Sequence, residues 1–438
     1  MNTTTLTPTA DVLAIGTYYI ATNYGILPDN DASTNTEKFQ KLVNQVSSNG
    51  GGTIYFPVGI YHFGIKEDDL PYLPNTEHPY ALYMPSNVSI IGENTEKTIF
   101  KLIDITDTIS YEEKDKNGNT VEVSLTQHYP YTLFYFMGDK DHPISGCSYT
   151  NFTVDASATK KKLVKKSDNP ISYEPDNVYY SKAFYYQYVK DCVFRDLILK
   201  ETLGTALGID YLDRVHIENV NCYYCGKNFN RDTFPHATGS AGIGIGTGGW
   251  EHENFFIHNC LCEQCGQFGI FIENQYNLGF NNPNGKNTSK GCIISNCIVR
   301  NGKKNGFGIR GGQNINLIGC ESYENLNDGL YIDGVCKNVK INACSFANNV
   351  KKGITLETDP GLKNTTSDDD VISNNTLISN LAGGIDIIST GALSYVTIRD
   401  NHITKNINKN DTSKITNGIF VDCPLSNFCV IGNYIDGP

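Results

Sequence analysis

The 438-residue chain carries 47 acidic against 35 basic residues, for a formal charge of −12, with 39% hydrophobic and 11% aromatic residues. That composition fits a folded globular protein, and its negative balance argues against nucleic acid and against an anionic membrane surface as partners. No apolar run reaches the length of a membrane span.

The first residues, MNTTTLTPTADVLAIG, hold no basic stretch and no sustained apolar core, so they do not read as a signal peptide. Farther on, Phe39, Leu42, Val43 and Val46 recur at helical spacing, which predicts an amphipathic helix. Thr34 or Thr36 is the expected cap, and Gly50–Gly52 the expected stop. A strand at Thr53–Phe56 follows, and Ala81–Met84 and Val88–Ile91 read as further strands. Tyr111–His128 is polar and charged, a projecting loop or hairpin. Lys160–Lys162 with Lys165 and Lys166 form a basic run, read as a solvated loop, with docking of an acidic glycan as the alternative.

From there the chain repeats. A Gly-apolar-x-apolar phrase stands at Gly306–Ile309, Gly329–Ile332 and Gly353–Leu356, spaced 23 and 24 residues apart. It recurs at Ala206–Ile209, Gly242–Ile245, Gly269–Ile272, Gly384–Ile387 and Gly418–Val421. Between these lies a second phrase, such as Ile294–Cys297, Leu317–Cys320 and Ile341–Cys344. Alternation with period two makes these runs strands. A period in the twenties makes them a solenoid, because no single repeat can bury its own apolar face.

A tight turn is legible in one column: Asn151, Asp196, Asn219, Asn259, Asn296, Gly319, Ala343, Asn374, Asp400 and Gly432. Asn, Asp and Gly tolerate the left-handed backbone that a sharp bend needs. The next column reads Phe152, Leu197, Val220, Cys260, Cys297, Cys320, Cys344, Asn375, Asn401 and Asn433, which would stack along the axis. Three strands per coil with such a turn describe an all-β, right-handed parallel β-helix. The expected organisation is a lead-in and capping helix over 1–63, continuous with the β-helix over 64–438. The helix would cover one open end of the coil. The other end, with no helix after the last coil, would need association or an atypical last coil.

Fourteen cysteines raise the question of disulfides. Four of them fall on the inward column as small apolar fillers, so reduced thiols are expected, which leans towards a cytoplasmic location. Cys222–Cys225 and Cys262–Cys265 form a CxxC pair with zinc-like spacing, but they occupy equivalent positions on adjacent coils, and repetition explains them. No metal site is expected.

The stretch from Thr22 to Phe63, with its TNYG, its helix and its GGTIYFPVGIYHF, resembles the N-terminal lead-in of the pectate-lyase-like superfamily, which includes secreted depolymerases and phage tailspikes. The Asn column resembles that superfamily's asparagine ladder. The likeness implies a polysaccharide partner, an active site on the sheet built by the Gly-apolar-x-apolar strands, and, for a phage tail protein, a virion location and a trimer. No family's catalytic motif carries over. The Asn-Thr-Asp, Gly-His-Gly and Arg-Ile-Lys of polygalacturonases and the Asp-Pro-His of alginate epimerases are missing.

On those strands the third and fifth positions should face solvent. The fifth column reads Asp210, Gly246, Glu273, Arg310, Asp333, Glu357, Ile388 and Asp422. Glu273, Arg310, Asp333 and Glu357 therefore form a charged stripe, flanked by Tyr331 and Asp386. Asp333 and Glu357, on adjacent rungs, would repel unless one keeps its proton, which is how a general acid is made at neutral pH. Paired carboxylates suit glycoside hydrolysis, the favoured reading, with these four charged residues as catalytic candidates. An arginine between acids also suits β-elimination on a uronic acid by a polysaccharide lyase. A non-catalytic glycan-binding fibre protein is the third reading. Tyr331, Asp386, Trp250, His252, Arg231 and His236 are the substrate-binding candidates, the last four on long insertions beside the sheet. The glycines of Gly242–Gly249 would clear a shelf for a bulky ligand. No cofactor is firmly implied; Ca2+ stays open.

Overall fold

A computed structural model of the chain describes residues 18–65, 79–168, 171–175, 181–229, 239–250, 253–275, 291–334, 336–358, 367–389, 393–406 and 416–436. Thirty-two strands join one continuous sheet that winds around the axis, and each strand pairs in parallel with its equivalent one coil on. The result is a right-handed parallel β-helix with three strands per coil, the hand that parallel crossovers nearly always take. The first of its three faces runs from Tyr80–Tyr83 to Ile419–Asp422. Two antiparallel hairpins leave the coil, Ile105–Lys114 with Thr120–Tyr129 and Leu163–Asp168 with Ile171–Pro175. The first is the projection expected from Tyr111–His128. The basic run lies on and before the second, where Lys165 and Lys166 pair with Asp168 and Glu174.

All ten residues of the turn column have positive φ, from 52° at Asp196 and Asn296 to 67° at Gly432. Even Ala343 takes this conformation, at φ 54°, so neighbouring coils impose the bend where the side chain does not favour it. The stacking column points inward and changes chemistry along the axis. Phe152 stacks on Phe100 with centroids 4.7 Å apart. The buried thiols of Cys260, Cys297, Cys320 and Cys344 follow. Amides finish it: Asn375 Nδ2 donates to Asn401 Oδ1 at 3.0 Å, and Asn401 Nδ2 to Asn433 Oδ1 at 2.8 Å. A second amide ladder runs through Asn325, Asn349, Asn380 and Asn406 with bonds of 2.9–3.0 Å. The sequence reading did not find it. Each rung satisfies buried backbone and side-chain groups together, as the interior demands. Cys222 and Cys262 are register partners inside adjacent coils. Among the described residues no cluster of His, Cys, Asp or Glu is disposed to hold a metal.

The helix spans Ala32–Ser48 and buries Phe39, Leu42, Val43 and Val46 against the first coils. Its cap is Asp31, whose Oδ1 accepts the Thr34 amide at 2.8 Å, not Thr34 or Thr36 as expected. A carboxylate at this position satisfies a free amide and also meets the positive end of the helix. At the opposite end Val430, Ile431, Tyr434 and Ile435 of the last described coil are exposed.

Candidate functional site

Register places the site. Strand by strand, Asp210 lies beside Gly246, then Glu273, Arg310, Asp333, Glu357, Ile388 and Asp422. The inner column of the same strands, Leu207, Ile243, Ile270, Phe307, Leu330, Ile354 and Ile385, is buried in the core. Because side chains alternate across a strand, that core burial aims the charged column outward. Both hairpins insert where the third face passes to the first, so they rise along one edge of this sheet. Their roots are tied by Gln127 Nε2 to the Leu163 carbonyl at 2.9 Å and by the Lys160 amide to Asp104 Oδ2 at 2.6 Å. On the other edge the buried carboxylate of Glu253 accepts the amides of Gly248 and Gly249 at 2.7 and 3.0 Å. Trp250, on that turn, packs edge-on against Tyr188, the contact of a loop anchor.

At the N-terminal end of the stripe the charges are desolvated and only loosely matched. Asp210 is fenced by Tyr185 OH at 3.4 Å and by the amides of Gln187 and Gln275 at 3.3 and 3.5 Å. Burial raises its pKa against the pull of Lys182. Lys182 lies 3.9 Å over the Tyr185 ring, and burial lowers its pKa to about 8. Gly246 carries no side chain, and a Cβ there would sit 2.2 Å from Asp210 Oδ1. The Asp210 carboxylate therefore leans across Gly246 towards Glu273. Glu273 is only 6% exposed. Burial pushes its pKa up to about 7, helped by Asp210 and Asp333 and opposed by Arg310.

Farther along, the charges of the stripe have close partners. The Arg310 Nε donates to Asp333 Oδ1 and Oδ2 at 3.1 and 3.0 Å, and its Nη1 reaches Glu273 Oε1 at 3.3 Å. Tyr331 OH donates to Glu357 Oε2 at 2.6 Å. Lys352 Nζ pairs with Asp386 Oδ2 at 2.6 Å. Asp328 is buried and its pKa is raised to about 6 by desolvation.

The stripe assembles as the sequence reading expected: Glu273, Arg310, Asp333 and Glu357 stand on successive rungs, with Tyr331 and Asp386 beside them. Three expectations need correction. Asp333 and Glu357 are not a repelling pair, because Arg310 holds one and Tyr331 the other. Glu273 and Asp386 aim outward but are covered, Asp386 being 3% exposed. The glycines clear no shelf for a ligand. Gly246 makes way for Asp210, Gly244 for Thr205, and Gly242 faces inward onto the sulfurs of Cys262 and Cys265. Arg231, His236 and His252 lie outside the described residues. Sequence reasoning passed over Asp210, Lys182, Tyr185, Asp328 and Lys352. For Asp210 a signal existed, since it shares the stripe's column and faces a glycine one rung on.

Residues 286–435 match the family model described as the right handed beta helix region. Three solved structures superpose over nearly the whole chain. The mannuronan C-5 epimerase AlgE6 A-module of Azotobacter vinelandii is 15% identical, with a TM-score of 0.55, over 96% of this chain and 99% of that one. The catalytic unit of the GH87 alpha-1,3-glucanase from Streptomyces thermodiastaticus strain HF3-3 is 11% identical, with a TM-score of 0.55, over 95% and 68%. The Agl-KA catalytic domain is 11% identical, with a TM-score of 0.56, over 98% and 70%. These likenesses show the fold, a right-handed β-helix. Over 95 residues the chain is 33% identical to the SPbeta prophage-derived uncharacterized protein YomE of Bacillus subtilis (strain 168). The match covers 20% of this chain and 14% of YomE. A shallow depression of about 520 Å3 lies on the third face, lined by Lys200, Glu201, Tyr223 and Tyr224 among others. Asp104, raised to about 7 by burial, stands alone at a hairpin root, whereas two raised carboxyls, Asp210 and Glu273, share the outward column of the first face, so the candidate site is placed there.

Proposed function

We propose that this chain is a polysaccharide-active enzyme that hydrolyses a glycosidic bond, with Glu273 as general acid and Asp210 as its partner carboxylate. One observation carries the reading: a buried carboxyl on the outward column, pushed up to about 7, two rungs from a second raised carboxyl. A proton donor must hold its proton at working pH, and burial beside like charge is how a protein arranges that. Two rungs put the Cα atoms roughly 10 Å apart. The lean of Asp210 over Gly246 brings the carboxylates towards the roughly 6.5–9.5 Å of an inverting hydrolase. Arg310 would orient Glu273, and Asp333 would orient Arg310. Neighbours of the same fold named as a glucanase and a mannuronan epimerase agree with a glycan partner.

Elimination from, or epimerisation of, a uronic acid is the second reading. Lys182 favours it, because a lysine with its pKa near 8 can act as a base, with Tyr185 beside it. A panel of polysaccharides separates the two. Hydrolysis yields new reducing ends alone, whereas elimination adds an ultraviolet-absorbing double bond. Loss of the new reducing ends in Glu273→Gln supports the assignment, and full activity in that variant sinks it. Binding without turnover on every glycan would make the chain a glycan-binding fibre protein.

A further inference from the structure

The depression of about 520 Å3 on the third face belongs to the same winding as the candidate site. One strand, Leu207–Tyr223, carries Asp210 near its start on the first face and reaches the depression at its end. Half of the lining is apolar or aromatic, Ile198, Tyr223 and Tyr224, and half is charged, Glu96, Lys200 and Glu201. A concavity of a few hundred Å3 with an apolar floor and a few polar groups is the usual form of a small-ligand site.

Tyr224 is out of keeping with its position. It stands on the corner column that follows the third strand of each coil, where amides bond from one coil to the next. Its neighbours on that column include Glu201, Gln264, Asn301, Glu324, Asn348 and Ser379, all polar and all left-handed at φ 54–57°. Tyr224 takes the same backbone at φ 57°, yet it carries a ring that is 49% exposed. A bulky side chain strains that conformation, and an exposed ring gains no core burial in return.

The polar groups beside it are positioned but unused. Asn94 Oδ1 accepts the amides of Glu96 and Lys97 at 3.0 and 3.1 Å. Thr95 ties the same turn to the coil, its hydroxyl donating to the Asp196 carbonyl at 3.2 Å and its carbonyl accepting from Thr153 Oγ1 at 2.6 Å. Glu96 is thereby held at the rim. Among the described residues neither the Glu96 carboxylate nor the Lys200 ammonium makes a hydrogen bond or a close ion pair; Lys200 only adds to the field at Asp155. Glu201 is paired with Lys227 Nζ at 3.4 Å. The charges around the depression therefore cancel, one free carboxylate against one free ammonium and one pair.

We propose that the depression is a second, non-catalytic binding site for an uncharged glycan, with a pyranose ring stacked on Tyr224 and its hydroxyls shared between Glu96 and Lys200. This rests on the glycan reading of the first face and adds to it. A tyrosine ring offers a broad apolar face to the C–H side of a sugar, and hydroxyls, which both donate and accept, suit a free acceptor beside a free donor. A lining of zero net charge gives a polyanion no advantage. Because Asp210 lies on the same winding, a long chain held here is held close to the first face, and two points of attachment favour long chains over short ones.

The test is affinity gel electrophoresis of the full chain carrying Glu273→Gln, so that polymers stay intact. The neutral probes are dextran, galactomannan and hydroxyethyl cellulose, and polygalacturonate is the charged one. The comparison variant adds Tyr224→Asn, since asparagine takes the left-handed backbone at Asn301 and Asn348 and the fold is kept. At least one neutral polymer should retard the chain, and Tyr224→Asn should raise the polymer concentration needed by at least about fivefold, the scale of a lost aromatic anchor. Glu96→Gln should act in the same direction. Retardation by the neutral polymer should survive added salt, which screens only charge-driven binding. Retardation unchanged by Tyr224→Asn overturns the proposal, and so does retardation by no neutral polymer. An equal dependence on Tyr224 with polygalacturonate overturns the uncharged class. Turnover is scored separately on the unmodified chain. Retardation that depends on Tyr224 without new reducing ends refutes hydrolysis and leaves this site standing, whereas hydrolysis with retardation indifferent to Tyr224 does the reverse.

Discussion

The two ends of the charged stripe are built from the same strands and the same residue types, yet they hold their charge in opposite ways. From Arg310 to Asp386 most of the ions on the stripe have a close partner: Arg310 with Asp333, Tyr331 with Glu357, Lys352 with Asp386. Such a ladder suits a surface that has to be stable. At the Asp210–Glu273 end two carboxyls are desolvated, their pKa values are pushed up, and the nearest cations hold them incompletely. Charge on an outward column therefore does not make a reactive site. Charge withheld from both water and a full partner is the better candidate, because there a carboxyl can keep a proton near neutrality.

The largest test of that contrast is chemical. Glu273→Gln and Asp210→Asn should each remove about a hundredfold or more of turnover, the scale of a lost acid–base group, with the fold intact by circular dichroism. The pH profile follows from the same pair. Glu273 must be protonated, so the rate should fall as pH rises through about 7. Asp210 must be ionised, so the rate should climb on the acid side through its raised value. Arg310→Met sits at the border of the two ends. It should cost about 2 kcal/mol in urea unfolding, since a half-buried pair loses one partner. It should also move the alkaline limb to higher pH, because Arg310 now lowers the Glu273 pKa.

Within the matched end, Asp333→Asn and Glu357→Gln should each cost less than about tenfold in rate, since neither is asked to move a proton in the chemical step. A hundredfold loss in either would erase the contrast and return the site to the middle of the stripe. A subtler effect is on stability. The folded pKa of Glu273 lies above its usual value of 4.5. Its contribution is therefore whole below that value and lost as pH rises through about 7. Glu273→Gln should consequently melt higher than the unmodified chain on the alkaline side and show no such gain in acid. Smallest of all, Asp422→Asn, on the same column but exposed beyond the last charged pair, should leave rate and melting unchanged within error.

How much of this could be read in advance follows from the repeat. Period, strand alternation, the left-handed turn column and the inward stacking column are properties of neighbours in sequence and of equivalence between coils. They led to the β-helix, to the register and to the outward stripe, including the adjacency of Glu273, Arg310, Asp333 and Glu357. The second amide ladder, through Asn325 to Asn406, escaped because its asparagines are spread among other polar turn residues. Only their buried bonds across coils set them apart. The partners of the stripe escaped for a related reason. A column of letters gives which rungs are adjacent, but not how far a side chain leans along the axis. Asp210 reaches over Gly246, and Arg310 turns to both Asp333 and Glu273. Lys182 comes from the chain before its strand and lies flat on Tyr185. Desolvation is likewise a sum over everything packed around a group. Sequence alone determined where the charges stand on the coil; the tertiary structure decided which of them are neutralised by partners and which are left to hold a proton.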